Sequence, residues 1–400
     1  MEISSEMRQE IERIRKDNPS LTSGMSDDEI VLLVQQADLT LEHGEPMRFL
    51  VQRPDKTKET LDKLDPSKMS AQECGAYGQE LLAAGRWFEA ERYFLSQLEK
   101  SKQEKDSHQQ AIAYVSLGNI YGSRGNGDQA LNLYHHALAL TDGPQDLGLR
   151  GSIYNCVGEV CRRQGDYSNA LAFYNGSLEI ATKTGNEQSL AAAYGNLGIV
   201  YKNLGDFDQA IKAYEKSLEY SCRRGIDHLT ANQYGNLGVV YGLQGKYAKA
   251  IELHEKSLEI CQRLDNQKGT ADAYGNLGVV YIEMKDYQAA RRMYQKAAEI
   301  MQSMGDEPGV ALINGNLGFI DQNEGNMERA IACYRQGLAV LERIGDKHNC
   351  AKFYNNLGLL YYDQGQTDEA RDCLSKAQKF YELVGDQTGV WKTGEELKRL

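Results

Sequence analysis

From Gln188 to Leu204 the apolar residues Leu190, Ala193, Tyr194, Leu197, Val200 and Tyr201 fall three and four apart. That spacing puts them on one face of a helix, helix A of a unit. Gly205-Asp206 ends it and starts a turn. A second helix, B, is predicted from about Phe207 to Arg223, with Ala210, Ile211, Tyr214 and Leu218 on one side. Gly225 closes it, as Gly185, Gly305, Gly345 and Gly385 close others. Glycine just past a helix end takes the left-handed conformation readily.

The same pattern returns every 40 residues from about Ala71 to Val390. Glycine stands at 78, 118, 158, 198, 238, 278, 318 and 358, and alanine at 90, 130, 170, 210, 250, 290, 330 and 370. A second glycine stands at 85, 125, 165, 205, 245, 325 and 365, with Lys285 the exception. Tyrosine fills 114, 154, 194, 234, 274 and 354, then 121, 201, 241, 281 and 361, then 134, 174, 214, 294 and 334, which explains its excess of 24 over 8 phenylalanines. A mid-helix glycine costs about 1 kcal/mol relative to alanine. Its recurrence implies a steric demand, and the expectation is that it faces the small alanine so that two helices approach closely. Asn314 and Asp321 interrupt two tyrosine columns, seven residues apart. They imply either local repacking or a contact of their own.

Tyr194, Leu197, Gly198, Tyr201, Ala210, Tyr214 and the Gly205-Asp206-Phe207 turn resemble the tetratricopeptide repeat pattern. The phrase Ala193-Tyr194-Gly195-Asn196-Leu197-Gly198 is similar to the 40-residue variety in spindle-orientation adaptors of the Pins/LGN type. The resemblance implies an all-α fold: a right-handed superhelical solenoid of eight helix pairs over 71–390. Residues 1–70 would form an N-terminal helical cap and 391–400 a C-terminal capping helix. In residues 1–70, Glu6–Asp17 and the segment opened by the capping box Ser26-Asp27-Asp28-Glu29 are predicted helices. They would cover the solenoid end or dock a partner.

In this fold family helix A builds the inner wall, and the wall positions transfer residue by residue. One column is Ser116, Cys156, Asn196, Asn236, Asn276, Asn316 and Asn356, and beside it stand Gly195, Gly235, Gly275 and Gly315. One turn on lie Asn119, Glu159, Ile199, Val239, Val279, Phe319 and Leu359. An asparagine both donates and accepts, so a row of them can pair with a peptide backbone. The glycines would then permit close approach of that ligand. The alternative is that both residue types only ease packing between A helices. The Pins/LGN-type adaptors usually carry a second asparagine where this chain has Ile199, Val239, Val279, Phe319 and Leu359. An apolar stripe beside an asparagine rail suits an amphipathic partner segment. Arg162, Arg163 and Lys202 form a basic patch for an acidic ligand segment, or simply solvated charge. A chaperone-type carboxylate clamp is disfavoured by Val115, Asn119, Cys156, Ala192 and Asn196.

Charge and composition narrow the function further. The net charge of −12 argues against a nucleic-acid binder. The first residues carry no signal-peptide pattern, and no apolar run is long enough for membrane insertion. The eight cysteines include no Cys-x-x-Cys pair and fall on expected buried faces, which fits reduced thiols and a cytoplasmic location. The seven histidines have no metal spacing, and His254 stands in a tyrosine column as a packing residue. No Walker sequence or nucleophile motif appears, so neither an enzyme nor a cofactor is expected. The expected role is an adaptor that binds a protein or peptide ligand. The alternative is a scaffold that self-associates through its ends or its outer face.

Overall fold

The computed structural model describes residues 65–400, and the helices expected before residue 65 lie outside them. The described residues form seventeen α-helices and two short 3-10 turns, with no strand among them. They divide into two units, residues 65–305 and 306–400.

In residues 65–305 the helix pairs are α1 (Ala71–Ala83) with α2 (Trp87–Glu104), α3 (Ser107–Ser123) with α4 (Gly127–Ala139), and α5 (Leu147–Arg163) with α6 (Tyr167–Thr184). They continue with α7 (Glu187–Asn203) and α8 (Phe207–Arg224), α9 (Asp227–Leu243) and α10 (Tyr247–Arg263), and α11 (Gln267–Glu283) and α12 (Tyr287–Ser303). Odd-numbered helices are of type A and even-numbered ones of type B. Each A helix packs on its own B helix, and each B helix from α2 to α10 packs on the next A helix. Adjacent A helices from α1 to α11 also touch, with Cα atoms within 8 Å. They therefore stand side by side as one wall. Residues 306–400 repeat the plan with α13 (Glu307–Asn323), α14 (Met327–Arg343), α15 (Lys347–Asp363), α16 (Thr367–Leu383) and α17 (Gln387–Leu397). There α13 and α15 touch, and α17 packs on α16.

Local chemistry sets the helix ends. The side chains of Asn186 and Asp206 accept from the backbone N–H groups of Ser189 and Gln209, at 3.0 and 3.1 Å, which caps α7 and α8. Gly225 at the end of α8 has φ 64°. Lys285, the one non-glycine in the second glycine column, is forced to φ 60° by the same turn. At a residue with a Cβ that conformation costs roughly 1–2 kcal/mol.

What the mid-helix glycines meet first is a large B-helix side chain, and only at Gly318 does the alanine of the repeat, through the Ala330 carbonyl at 3.3 Å, come as near. A Cβ on Gly198 would lie 2.5 Å from Cε1 of Tyr214, and one on Gly118 2.5 Å from the same atom of Tyr134. Gly158 meets Tyr174, Gly278 meets Tyr294, and Gly78 meets Phe94 in the same way. Each glycine is a socket for one large B-helix side chain, and those tyrosines are among the most buried in the protein. The alanines sit one turn further along, where a Cβ on Gly242 would meet Ala250 at an ordinary 3.9 Å. In residues 306–400, Gly318 receives Tyr334 and Gly358 receives Leu374.

The break in the tyrosine columns also resolves. Asp321 is buried, and Cys333 donates a long thiol hydrogen bond to it at 3.9 Å, while Asn314 is half-buried. The cysteines differ from expectation at Cys222, which is exposed, and Cys156 and Cys333 are only partly covered. None of the eight is in a disulfide.

Candidate functional site

Every expected wall residue stands on an A helix. Asn196 and Ile199 lie on α7, Asn236 and Val239 on α9, and Asn276 and Val279 on α11. The three asparagines, Ile199 and Val239 are half-buried, and Val279 is 49% exposed. Because α7, α9 and α11 are packed side by side, these residues form a polar row and an apolar row across three repeats. In residues 306–400, Asn316 with Phe319 on α13 and Asn356 with Leu359 on α15 form a second, shorter stretch, Phe319 being 40% exposed.

Two of the glycines beside the asparagines, Gly195 and Gly315, serve packing. Gly195 is buried, and a Cβ there would come within 2.7 Å of Nε2 of Gln233. A Cβ on Gly315 would lie 2.3 Å from the ring of Phe353. At those two positions the small size makes room for a neighbouring A-helix side chain; beside Asn236 and Asn276, a Cβ on Gly235 would meet only Oγ of Ser257 at 3.6 Å and one on Gly275 nothing within 4 Å, so those two leave open space.

The basic patch is partly neutralised. Arg162 grips Glu159 through two hydrogen bonds of 2.9 and 2.6 Å, and Arg163 donates to the same carboxylate at 2.9 Å. Burial opposes the charge on Glu159, but the two guanidinium groups outweigh it and hold the carboxyl below its usual range. Lys202 on α7 is half-buried, and desolvation, with the nearby charge of Arg162, lowers its pKa. The cluster keeps an excess of positive charge on α5 and α7, with Arg162 held rigid.

Beneath the wall lies a set of buried polar groups. The socketed tyrosines have their hydroxyls buried, and where a wall residue can reach one it does. The Tyr134 hydroxyl donates to Oδ1 of Asn119 at 2.7 Å, and that of Tyr174 to Oε2 of Glu159 at 3.2 Å. In the second unit Nδ2 of Asn356 donates to the Tyr334 hydroxyl at 3.4 Å. Where the wall carries Ile199, Val239 and Val279, it supplies no such partner. The Tyr214 hydroxyl, Nδ1 of His254 and the Tyr294 hydroxyl are buried without a hydrogen-bond partner. Burial pushes the Tyr214 and Tyr294 hydroxyls upward in pKa and drives the His254 imidazole down to about 4. The signal was present in the sequence: each of these groups stands 15 residues after a wall position that had become aliphatic.

No group of three or more His, Cys, Asp or Glu side chains among the described residues could hold a metal ion. No described helix is long and apolar enough to cross a membrane.

A profile of the tetratricopeptide repeat matches residues 149–222, 229–303 and 309–382, more than half the chain, and a second such profile matches 113–148. The chain belongs to the tetratricopeptide repeat family. No curated protein matches it. Among solved structures, the apo form of RapI superposes with a TM-score of 0.56 at 16% identity, over 69% of this chain and 99% of that one. A signal transduction ATPase with a tetratricopeptide repeat sensor, PH0952 from Pyrococcus horikoshii, gives 0.60 at 16% identity over 82% of this chain. This chain spans only half the length of that ATPase. At such identities the likeness concerns the fold of the tetratricopeptide repeats alone.

Proposed function

We propose that this tetratricopeptide repeat protein is a non-catalytic adaptor that holds a peptide or amphipathic partner segment against the wall of its A helices. The observation that carries the reading is the in-register pair of rows on α7, α9 and α11, Asn196, Asn236 and Asn276 beside Ile199, Val239 and Val279, all left partly open to solvent. An asparagine row can pair with main-chain groups of any sequence, and the aliphatic row can bury the partner's apolar side chains. Asn316, Asn356, Phe319 and Leu359 would act likewise in the last repeats. Arg162, Arg163 and Lys202 would favour an acidic group at one end of the segment. Residues 71–390 are the repeat body in this reading, with 1–70 and 391–400 as terminal extensions, and the site of action is cytoplasmic. Kinship with the Pins/LGN-type adaptors is supported by the 40-residue period and the Gly195-Asn196 phrase. The aliphatic row departs from those adaptors and argues for different ligands.

The test is affinity capture from the native host, with wild type and the Asn236→Ala/Asn276→Ala double variant side by side. A bound partner should be retained by the wild type and lost by the variant while the melting temperature stays within a few degrees. Equal capture by both would refute the reading.

A further inference from the structure

Resting on that reading, we propose that the wall of α7, α9 and α11 takes its partner as a polyproline II segment, one turn of the segment per repeat. Three features of the molecule carry this. First, the wall offers one asparagine and one aliphatic residue per repeat, at a fixed interval set by A helices in direct contact. Packed helices lie about 8–10 Å apart. A polyproline II helix advances about 3.1 Å per residue with three residues per turn, so one turn is about 9 Å. Every third side chain then meets the next aliphatic residue, and every third carbonyl meets the next asparagine. A β-strand repeats every two residues, so three residues along its side chains point to the opposite face.

Second, the polar row demands a ligand whose backbone is free. A helical partner could match the spacing with a heptad, since seven residues rise about 10.5 Å. Its N–H and C=O groups are already paired, however, and Asn196, Asn236 and Asn276 would face apolar side chains. In polyproline II the carbonyls are unpaired and point outward.

Third, these repeats carry buried polar groups that need a partner. The Tyr214 hydroxyl and Nδ1 of His254 have none, and Tyr214 and His254 are 0% and 1% exposed. The Tyr334–Asn356 hydrogen bond shows how the socketed residue and the asparagine of the next repeat meet. By the repeat, Asn236 is that neighbour for Tyr214 and Asn276 for His254. In that bond Asn356 donates through Nδ2; an asparagine flipped about its amide would instead accept from the buried hydroxyl through Oδ1 and present its NH2 outward, the group a proline-rich backbone of carbonyls requires. In the bound state Tyr214 would thus act as a positioning residue for Asn236.

The experiment titrates the full chain into three dye-labelled peptides and follows fluorescence anisotropy. One has four Pro-Pro-Leu triplets, one four Gly-Gly-Leu triplets, and one is a helix with leucine at heptad spacing. The proline peptide should bind at least about tenfold more tightly than either of the others, because its conformation is preformed. Asn236→Ala/Asn276→Ala should weaken it at least about tenfold. Tyr214→Phe should weaken it severalfold with the melting temperature unchanged or raised, because the hydroxyl has no partner in the free chain. Tightest binding by the helical peptide, lost in the asparagine variant, would overturn the polyproline II inference and leave the wall reading intact. Proline-peptide binding untouched by both variants, or no binding of that peptide by the wild type, would overturn the inference as well.

Discussion

Replacing Gly198 with alanine should destabilise the protein, although alanine is the better helix former by about 1 kcal/mol. The added Cβ would lie 2.5, 2.6 and 2.9 Å from Cε1, Cδ1 and Cζ of Tyr214. Carbon atoms pack best at about 3.5–4.0 Å, so the ring must retreat by roughly 1 Å. Tyr214 is 0% exposed and enclosed by Ala210, Leu237 and Val240, which leaves nowhere easy to go. Overpacking of this kind costs about 1–3 kcal/mol. Gly242 is the control. It also lies within an A helix, but its Cβ would meet Val280 and Ala250 at 3.8 and 3.9 Å, ordinary contact distances. Gly242→Ala should therefore gain the propensity term, up to about 1 kcal/mol. Because both variants share that term, the difference between them isolates the steric one. It should be about 1–3 kcal/mol in favour of Gly242→Ala. Urea denaturation followed by far-UV circular dichroism measures it. Hydrogen exchange in α7 and α8 adds a local readout, because repeat arrays need not unfold as one unit. In a Tyr214→Ala background the penalty at Gly198 should vanish, a coupling that a double-mutant cycle records. Equal stability of the two glycine variants, or a penalty that survives the loss of the ring, would refute the socket.

His254 is held neutral by burial with a pKa of about 4, below its ordinary 6.5. Above pH 6.5 both the folded and unfolded chains carry it uncharged; below that only the unfolded chain takes up the proton. Stability should therefore fall between pH 7 and 5 by about 2 kcal/mol from this residue, and His254→Phe, the aromatic that Phe94 supplies in the first repeat, should flatten that part of the pH profile. An unchanged profile would show that other groups set it. Lys285→Gly should raise stability by about 1 kcal/mol by relieving the left-handed backbone at φ 60°; thermal melts of the two proteins decide this, and a lower melting temperature for the glycine variant would contradict it.

How much of this was legible beforehand depended on whether the information was local. The helix pair read from residues 188–223 matches α7 and α8 to within a residue or two at each end. Caps and turns are chemistry between near neighbours, and a 40-residue period shows them repeatedly. The partner of Gly198 was misread because it is 16 positions away on another helix. Both the alanine and the tyrosine columns recur at the same interval, so periodicity alone cannot say which of them faces the glycine. Side-chain direction decides it, and that needs the crossing of the two helices. The role of Gly195 was misread for a related reason. Its neighbour Gln233 belongs to the next A helix, at a position where other repeats carry Ala193 or Ala273, so a column of averages hid it.

The columns that packing does not explain therefore say more about function than those it does. The regular positions answer to packing: Gly198 needs Tyr214 and Ala210 needs a close helix, whatever the protein binds. The aliphatic residues Ile199, Val239 and Val279 have no such explanation, because, unlike Asn119 and Glu159 at the same position, they leave a buried group without a hydrogen-bond partner and set an aliphatic side chain in partial contact with water. Each change is unfavourable in the free chain: an unsatisfied buried polar group costs about 1–3 kcal/mol, and exposed apolar area gains nothing. Three successive repeats that carry both have given up stability on the wall of α7, α9 and α11. The simplest physical compensation is a partner that covers the aliphatic row and engages the asparagines above the buried hydroxyls. On the proposed function, recognition would fall in the fourth to sixth repeats, with the Glu159-bearing third repeat, where Arg162 is bonded to Glu159, as its charged margin.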